Sequence, residues 1–273
     1  SKNAMLNIVN MHSASNISSL PTDGTAVIPT NVAYNYWYVH NGMITSNALF
    51  NEQLNPEFEG SPFVAFHKLT NDGKDWVNGS AYSYDAKRIF KPVSGDGLAH
   101  LLAVGNDKNY KYYLFAQLLK KAGLIEGAAF APNFIPEDSL FISFIPTNEA
   151  IKENIKKLPG CGSLRVTSSE TLEGNVAGTN KTKLAAYLRN YFIRIDMNPS
   201  ISTYPYIGSS CKGEFFTVGG NNKLRIADNG SKLSVSLIGT GYDNKVVDVS
   251  SEYFYLPFAF SDGCFHLIDG VLL

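Results

Sequence analysis

The sequence predicts an α+β protein with mixed β-sheets and several packed α-helices, on three observations. Apolar residues at helical spacing gather in the middle of the chain, between residues 110 and 193. Segments with alternating apolar residues follow them, from residue 224 onward, and helices followed by strands point to α+β. Composition agrees: 44% of the 273 residues are hydrophobic and 17% are charged, enough apolar surface for a sizeable core.

The elements follow in order. Residues 1–24 are polar and read as an arm or linker, with Ser1-Lys2-Asn3-Ala4 before Met5 read as the remnant of a cleaved tag. From Thr25 to about Asp107, aromatic segments are broken by Gly, Asn and Asp. Asn71-Asp72-Gly73 marks a turn between a run holding Phe63, Val64 and Phe66 and another beginning near Trp76 and Val77. Tyr110 to Ala122 reads as a helix burying Leu114, Phe115, Leu118 and Leu119. Asp107 or Asn109 would cap it, Lys120 and Lys121 suit its last turn, and Gly123 would end it. A second helix is expected from Asn148 to Leu158, capped by Thr147, with Ile151, Ile155 and Leu158 buried and Pro159-Gly160 as its stop. A third, Thr182 to Ile193, would bury Leu184, Leu188 and Phe192. Leu224 and Ile226, then Leu233, Val235 and Leu237, alternate on two strands joined by the hairpin signal Asp228-Asn229-Gly230. Val246-Val247 and Phe265–Ile268 supply further strands.

Several functions are excluded early. With 23 Lys+Arg against 24 Asp+Glu, the net charge of −1 does not suit a broadly basic nucleic-acid binder. No apolar run reaches the roughly 18–20 residues that span a bilayer, and no export signal is visible. Cys161, Cys211 and Cys264 form no Cys-x-x-Cys pair and are expected to be packing residues. None of His12, His40, His67, His100 and His266 sits in a metal-binding pattern. There is no Gly-x-Ser-x-Gly elbow and no phosphate-binding glycine loop. Asn71–Asp75 lacks the length and terminal Glu of a calcium loop. Lys152, Lys156 and Lys157 read as a solvated helix face. No catalytic residue, cofactor or metal ligand is assigned.

Two stretches are more specific: Leu140–Ile151, with Phe144-Ile145-Pro146-Thr147-Asn148-Glu149-Ala150 at its centre, and Asp262–Leu273, with Cys264-Phe265-His266-Leu267-Ile268-Asp269-Gly270. In order and spacing they resemble the two signature boxes of the fasciclin-like domain. Lys121-Ala122-Gly123-Leu124-Ile125 is similar to the end of that family's opening helix. The resemblance covers residues 105–273 and implies mixed sheets forming a wedge or sandwich packed with helices. It also implies a non-enzymatic cell-surface or extracellular adhesion module, such as a bacterial surface lipoprotein held by an N-terminal anchor. Pro146, Thr147, Asn148, His266, Asp269 and Gly270 are then structural signature residues, with His266 a satisfied core histidine. Where the family carries a Tyr-His pair this chain has Asn190-Tyr191, so integrin recognition does not carry over; Asn190 and Tyr191 remain candidate partner-binding positions.

The first half contains an echo. Val27-Ile28-Pro29-Thr30-Asn31-Val32-Ala33 repeats the pattern of Phe144–Ala150, and Gly97–Leu102 faintly copies the second box. Residues 25–104 are accordingly expected to be a partial or degenerate fasciclin-like repeat, the rival reading being an extension packed on residues 105–273. Tyr34, Tyr36, Trp37 and Tyr38 form an aromatic cluster, of which Tyr36, Trp37 and Tyr38 are candidate partner-binding residues. On a strand, alternate members would face a core instead. Tyr204-Pro205-Tyr206 is read the same way. The expected partner is a surface protein or a glycan. The competing readings are a carbohydrate- or small-ligand-binding module using these aromatics, and a hydrolase built on His266 or His40.

Overall fold

The structure, a computed structural model, describes residues 2–273 apart from 16, 86–87, 94, 96, 98–106, 127–130, 133, 137–138 and 202–211. The chain is α+β and divides into two compact units, Ser1–Ser94 with Phe258–Ser261, and Gly95–Pro257 with Asp262–Leu273. The division falls ten residues before the expected boundary at 104/105, and the first unit takes in the residues expected to form an arm. Leu98–Leu102 of the expected second-box copy, Tyr204–Tyr206 and Cys211 lie outside the described residues. Among the described residues, no helix is long and apolar enough to cross a membrane.

In the first unit, α1 (Lys2–Met11) replaces the expected arm. The asparagines hide its helical pattern in the sequence. Met11 is its buried residue, while Met5, Leu6 and Val9 are exposed. Strands β1 (Thr25–Pro29), β2 (Tyr36–His40), β3 (Met43–Ser46), β4 (Val64–Leu69) and β5 (Ala81–Tyr84) form an antiparallel sheet in chain order. Asn41 and Gly42 join β2 to β3, both at positive φ (46° and 78°), as a two-residue hairpin requires. Ser46 then caps α2 (Asn47–Asn51) by accepting from Leu49 N–H. The turn at Asn71 closes as expected, with reciprocal Asn71–Lys74 backbone bonds of 2.9 and 3.0 Å. The strand expected from Trp76 begins instead at Ala81; Trp76 and Val77 sit exposed in a second turn bridged at Trp76 and Gly79.

The register sorts this sheet into two faces. Val39 opposes Ile44, Ile44 opposes Val64, and Phe66 opposes Tyr84. With period-2 alternation, Trp37 and Tyr82 join that face. Tyr36 and Tyr38 point the other way. There Tyr38 meets Phe50 edge-on at 5.0 Å, and Phe50 packs on Phe258 of the short β16 (Phe258–Ala259), also at 5.0 Å. The amides of Asn47 and Asn51 both donate to Ala259 O.

In the second unit, β8 (Phe141–Pro146) lies between β11 (Phe192–Arg194), antiparallel to it, and β17 (Gly263–Ile268), parallel to it. Every residue of β8 and β17 is buried. Helices α3 (Tyr113–Ala122), α4 (Asn148–Asn154) and α5 (Gly178–Leu188) accompany this sheet. The first starts later than expected, and neither Asp107 nor Asn109 caps it: Asp107 Oδ1 takes Asn109 N–H instead. Gly123 ends it in the left-handed region, φ 70°. The second passes into a 3₁₀ turn at Ile155–Lys157, with Ile151, Ile155 and Leu158 buried as expected. The third begins before Thr182 and yields to a 3₁₀ turn and β11, so Phe192 and Ile193 are strand residues. The β-branched Ile193 and aromatic Phe192 suit the pleated surface they occupy. A second antiparallel sheet orders β12 (Gly213–Phe216), β13 (Lys223–Asp228), β14 (Leu233–Ile238) and β15 (Val247–Asp248). Two small ladders, β6 (Ile125–Glu126) with β7 (Ala131–Pro132) and β9 (Arg165–Val166) with β10 (Leu172–Glu173), complete it.

Candidate functional site

The signature residues are spent on the scaffold. Pro146 ends β8 opposite Ile268, and Thr147 N–H donates to Ile268 O at 3.1 Å while its hydroxyl accepts from Ala150 N–H at 3.4 Å. Asn148 ties two helices: its Oδ1 accepts from Leu114 N–H at 2.9 Å, and its amide donates to Tyr110 O at 2.8 Å. It thereby supplies the cap that α3 lacks locally. His266 is 1% exposed and stacks on Phe144, its register partner on β8, at 5.6 Å. Asp269 N–H donates to Asp248 O at 3.0 Å. Gly270 sits so close to Val247 that a Cβ would come within 2.9 Å of its Cγ1.

Asn190 and Tyr191 are buried, which corrects their candidacy as a surface for a partner. Asn190 Oδ1 accepts from Thr217 Oγ1 (2.9 Å) and Asn222 Nδ2 (3.0 Å), and its amide donates to Tyr242 OH (3.2 Å). The Tyr191 hydroxyl shares a 2.5 Å bond with Tyr187 OH and accepts from Leu272 N–H at 3.0 Å. Burial pushes both phenols above their ordinary range, so the pair is neutral. Tyr36 and Tyr38 are corrected likewise: they are 5% and 0% exposed, on the strand face where Tyr38 meets Phe50. Of the aromatic cluster, Tyr34 is exposed and Trp37 half-buried.

Trp37 leads to the site. A cleft of about 630 Å³ opens in the first unit over the face of its sheet that carries Trp37, opposite the one that packs on Phe50. Trp37, Ile44, Phe66, Tyr82 and Tyr84 floor it, and the described residues of 12–15 and 17–20 form the opposite wall. Among the described residues, four ties join that wall to the floor and its margin: Trp37 Nε1–H to Met11 O (2.7 Å), Ser80 Oγ–H to Ser18 O (2.7 Å), Leu20 N–H to Tyr82 OH (2.9 Å), and the His12–Tyr84 contact (2.7 Å), while Ser13 and Ser15 bond Asn31. His12 Nδ1 lies 2.7 Å from Ile8 O, which can only accept. Nδ1 therefore carries a proton, and in the neutral ring Nε2 accepts from the Tyr84 hydroxyl. The His12 and Tyr84 rings stack at 5.8 Å, and Tyr84 stacks on the buried Phe90 at 4.6 Å. Burial holds the Tyr84 phenol above its ordinary value, so it stays a neutral donor.

No Asp, Glu, Lys or Arg is among the described residues that line this cleft. Polar side chains among the described lining residues are serines, Asn78, Tyr82, the Trp37 indole and the His12–Tyr84 pair. His40, the other histidine considered for hydrolysis, meets Thr25 Oγ1 at 2.7 Å, and its ring lies 6.3 Å from that of Phe63. Among the described residues, no group of three or more His, Cys, Asp or Glu could hold a metal ion. Sequence reasoning reached Trp37 and missed Tyr82, Tyr84 and His12. The alternation of Tyr82 with Tyr84 was a readable strand signal. The pairing of His12 with a residue 72 positions away was not.

No family model matches the sequence, and no curated protein matches it. Among solved structures, the chain is similar to a FAS1 domain pair from the insect cell adhesion molecule fasciclin I, at 12% identity and a TM-score of 0.38, over 100% of this chain and 81% of that one. At that level the likeness establishes neither family nor function.

Proposed function

We propose that this chain is a non-enzymatic recognition module of the fasciclin-like kind, working at a cell surface or outside the cell, with the first-unit cleft as its binding site. The observation that carries this is the chemistry of the cleft wall. A concave, aromatic-floored pocket with scattered neutral hydroxyls is suited to holding a partner. No carboxylate is among the described lining residues beside His12, and its two ring bonds go to a carbonyl and to the Tyr84 phenol, whose proton burial holds more tightly than usual. The signature motifs support the same reading, because Thr147, Asn148 and His266 are taken up by the sheet and helices of the second unit. The partner is a surface protein or a glycan; the balanced charge argues against nucleic acid.

The test is adhesion set against turnover. Beads coated with the chain should adhere to surface or matrix preparations, and Trp37→Ala should weaken that adhesion with the fold retained by circular dichroism. Chromogenic esters and glycosides should be left intact. Hydrolysis that disappears in His12→Ala would overturn the proposal in favour of an enzyme.

A further inference from the structure

We propose that the first-unit cleft takes an uncharged, hydroxyl-rich ring: a neutral hexopyranose unit of a glycan. This rests on the reading of the cleft as a recognition site and names its ligand class. The volume, about 630 Å³, falls within the usual range for small-molecule sites. The choice of ligand follows from what the wall would leave unsatisfied. A phosphate, a sulfated sugar or a sugar acid would bring a charge into a cleft whose described lining offers no cationic side chain. A purely apolar ligand would strip water from the serine hydroxyls and return no hydrogen bond. A neutral sugar meets both demands. Its C–H face packs on Phe66 and Tyr82, which cross edge to face at 5.7 Å, and its hydroxyls exchange donors and acceptors with serine.

The serines divide into two sets. Ser13, Ser15 and Ser80 already donate within the protein, to Asn10 O, Asn31 Oδ1 and Ser18 O. Ser18 and Ser19 are exposed, line the cleft and make no side-chain hydrogen bond among the described residues. Their hydroxyls are the groups available to a ligand. The wall that carries Ser18 and Ser19 is tied to the sheet at Met11, His12, Ser18 and Leu20, so the cleft is formed in advance and little ordering opposes binding.

The experiment uses the full chain on a glycan array with neutral, sialylated, uronic and sulfated members, followed by titration with a methyl hexopyranoside. Neutral glycans should bind and be competed by the free methyl glycoside. Ser19→Trp fills the mouth of the cleft and removes none of the four ties, so it should lower affinity about tenfold or more. Trp37→Ala should do so too, and thermal unfolding identifies any variant that has lost its fold. Binding restricted to charged glycans, absence of neutral glycan binding, or neutral binding unchanged in Ser19→Trp would overturn the proposal. The two readings fail separately. Bead adhesion that Ser19→Trp abolishes but excess methyl hexopyranoside leaves intact would keep the recognition module and reject its sugar ligand. Substrate turnover lost in His12→Ala would reject the module itself.

Discussion

From the first residue of α4, the Asn148 side chain bonds the start of α3 twice, while its neighbour Thr147 makes a single cap bond to α4. Asn148→Ala removes the bonds to Leu114 N–H and Tyr110 O together and should cost about 1–3 kcal/mol in urea unfolding. Thr147→Ala loses a single longer cap bond and should cost about 1 kcal/mol. If the two variants were equally stable, Asn148 would not be the clamp described. The Thr147 cap was legible because it acts three residues ahead on its own helix. The reach of Asn148 back to α3 was not, since nothing in spacing announces a contact that far along the chain. Cys161 was legible as a packing residue, and burial pushes its thiol up from 9.0 to about 12. The folded state then keeps a proton that the unfolded chain releases. This stabilising contribution is complete below pH 9 and falls as the pH rises from 9 toward 12. Alkylation at pH 8 with peptide mapping should leave Cys161 unlabelled in the native chain and label it in urea; native labelling would contradict its burial.

Among the elements, the parallel pair β8–β17 leaves little room. A Cβ on Gly263 would fall 2.2 Å from Phe141 Cδ1, so Gly263→Ala should destabilise by about 1–3 kcal/mol through forced repacking. Gly230 makes a different demand. At φ 87°, with its N–H bonded to Asp228 Oδ1 at 2.7 Å, it closes the β13–β14 hairpin, and Gly230→Ala should cost about 1–2 kcal/mol despite open space around it. Denaturant midpoints for the two variants check both mechanisms, and Gly263→Ala should also perturb aromatic resonances near Phe141. The hairpin was readable because Asn-Gly carries its turn geometry locally. The echo of the first box was readable only in part. β1 does end at Pro29, and Thr30 Oγ1 does accept from Val32 N–H at 3.2 Å, but no helix follows. Asn31 turns to Ser13 Oγ at 2.8 Å instead of clamping a helix. Helix α1 escaped notice because interspersed asparagines mask its apolar positions.

For the whole molecule, the α+β class was legible from the order of periodicities, and the cleft was not. Its floor is gathered from β2, β3, β4 and β5, and its wall from the chain after α1, so it exists only once the register is set. Trp37 alone betrayed it. Because the chain is nearly neutral and the described cleft lining uncharged, partner binding should change little between low and high salt. A steep salt dependence would place the contact on a charged surface elsewhere. The chain has two tryptophans, Trp37 in the cleft and Trp76 exposed in the turn before β5. A Trp76→Phe variant therefore leaves Trp37 as the reporter. Titrating that variant with the partner selected in the adhesion assay should produce a saturable change in Trp37 emission, and adding Ser19→Trp should abolish partner capture. Capture that proceeds with Trp37 emission unaltered would contradict the assignment of the cleft.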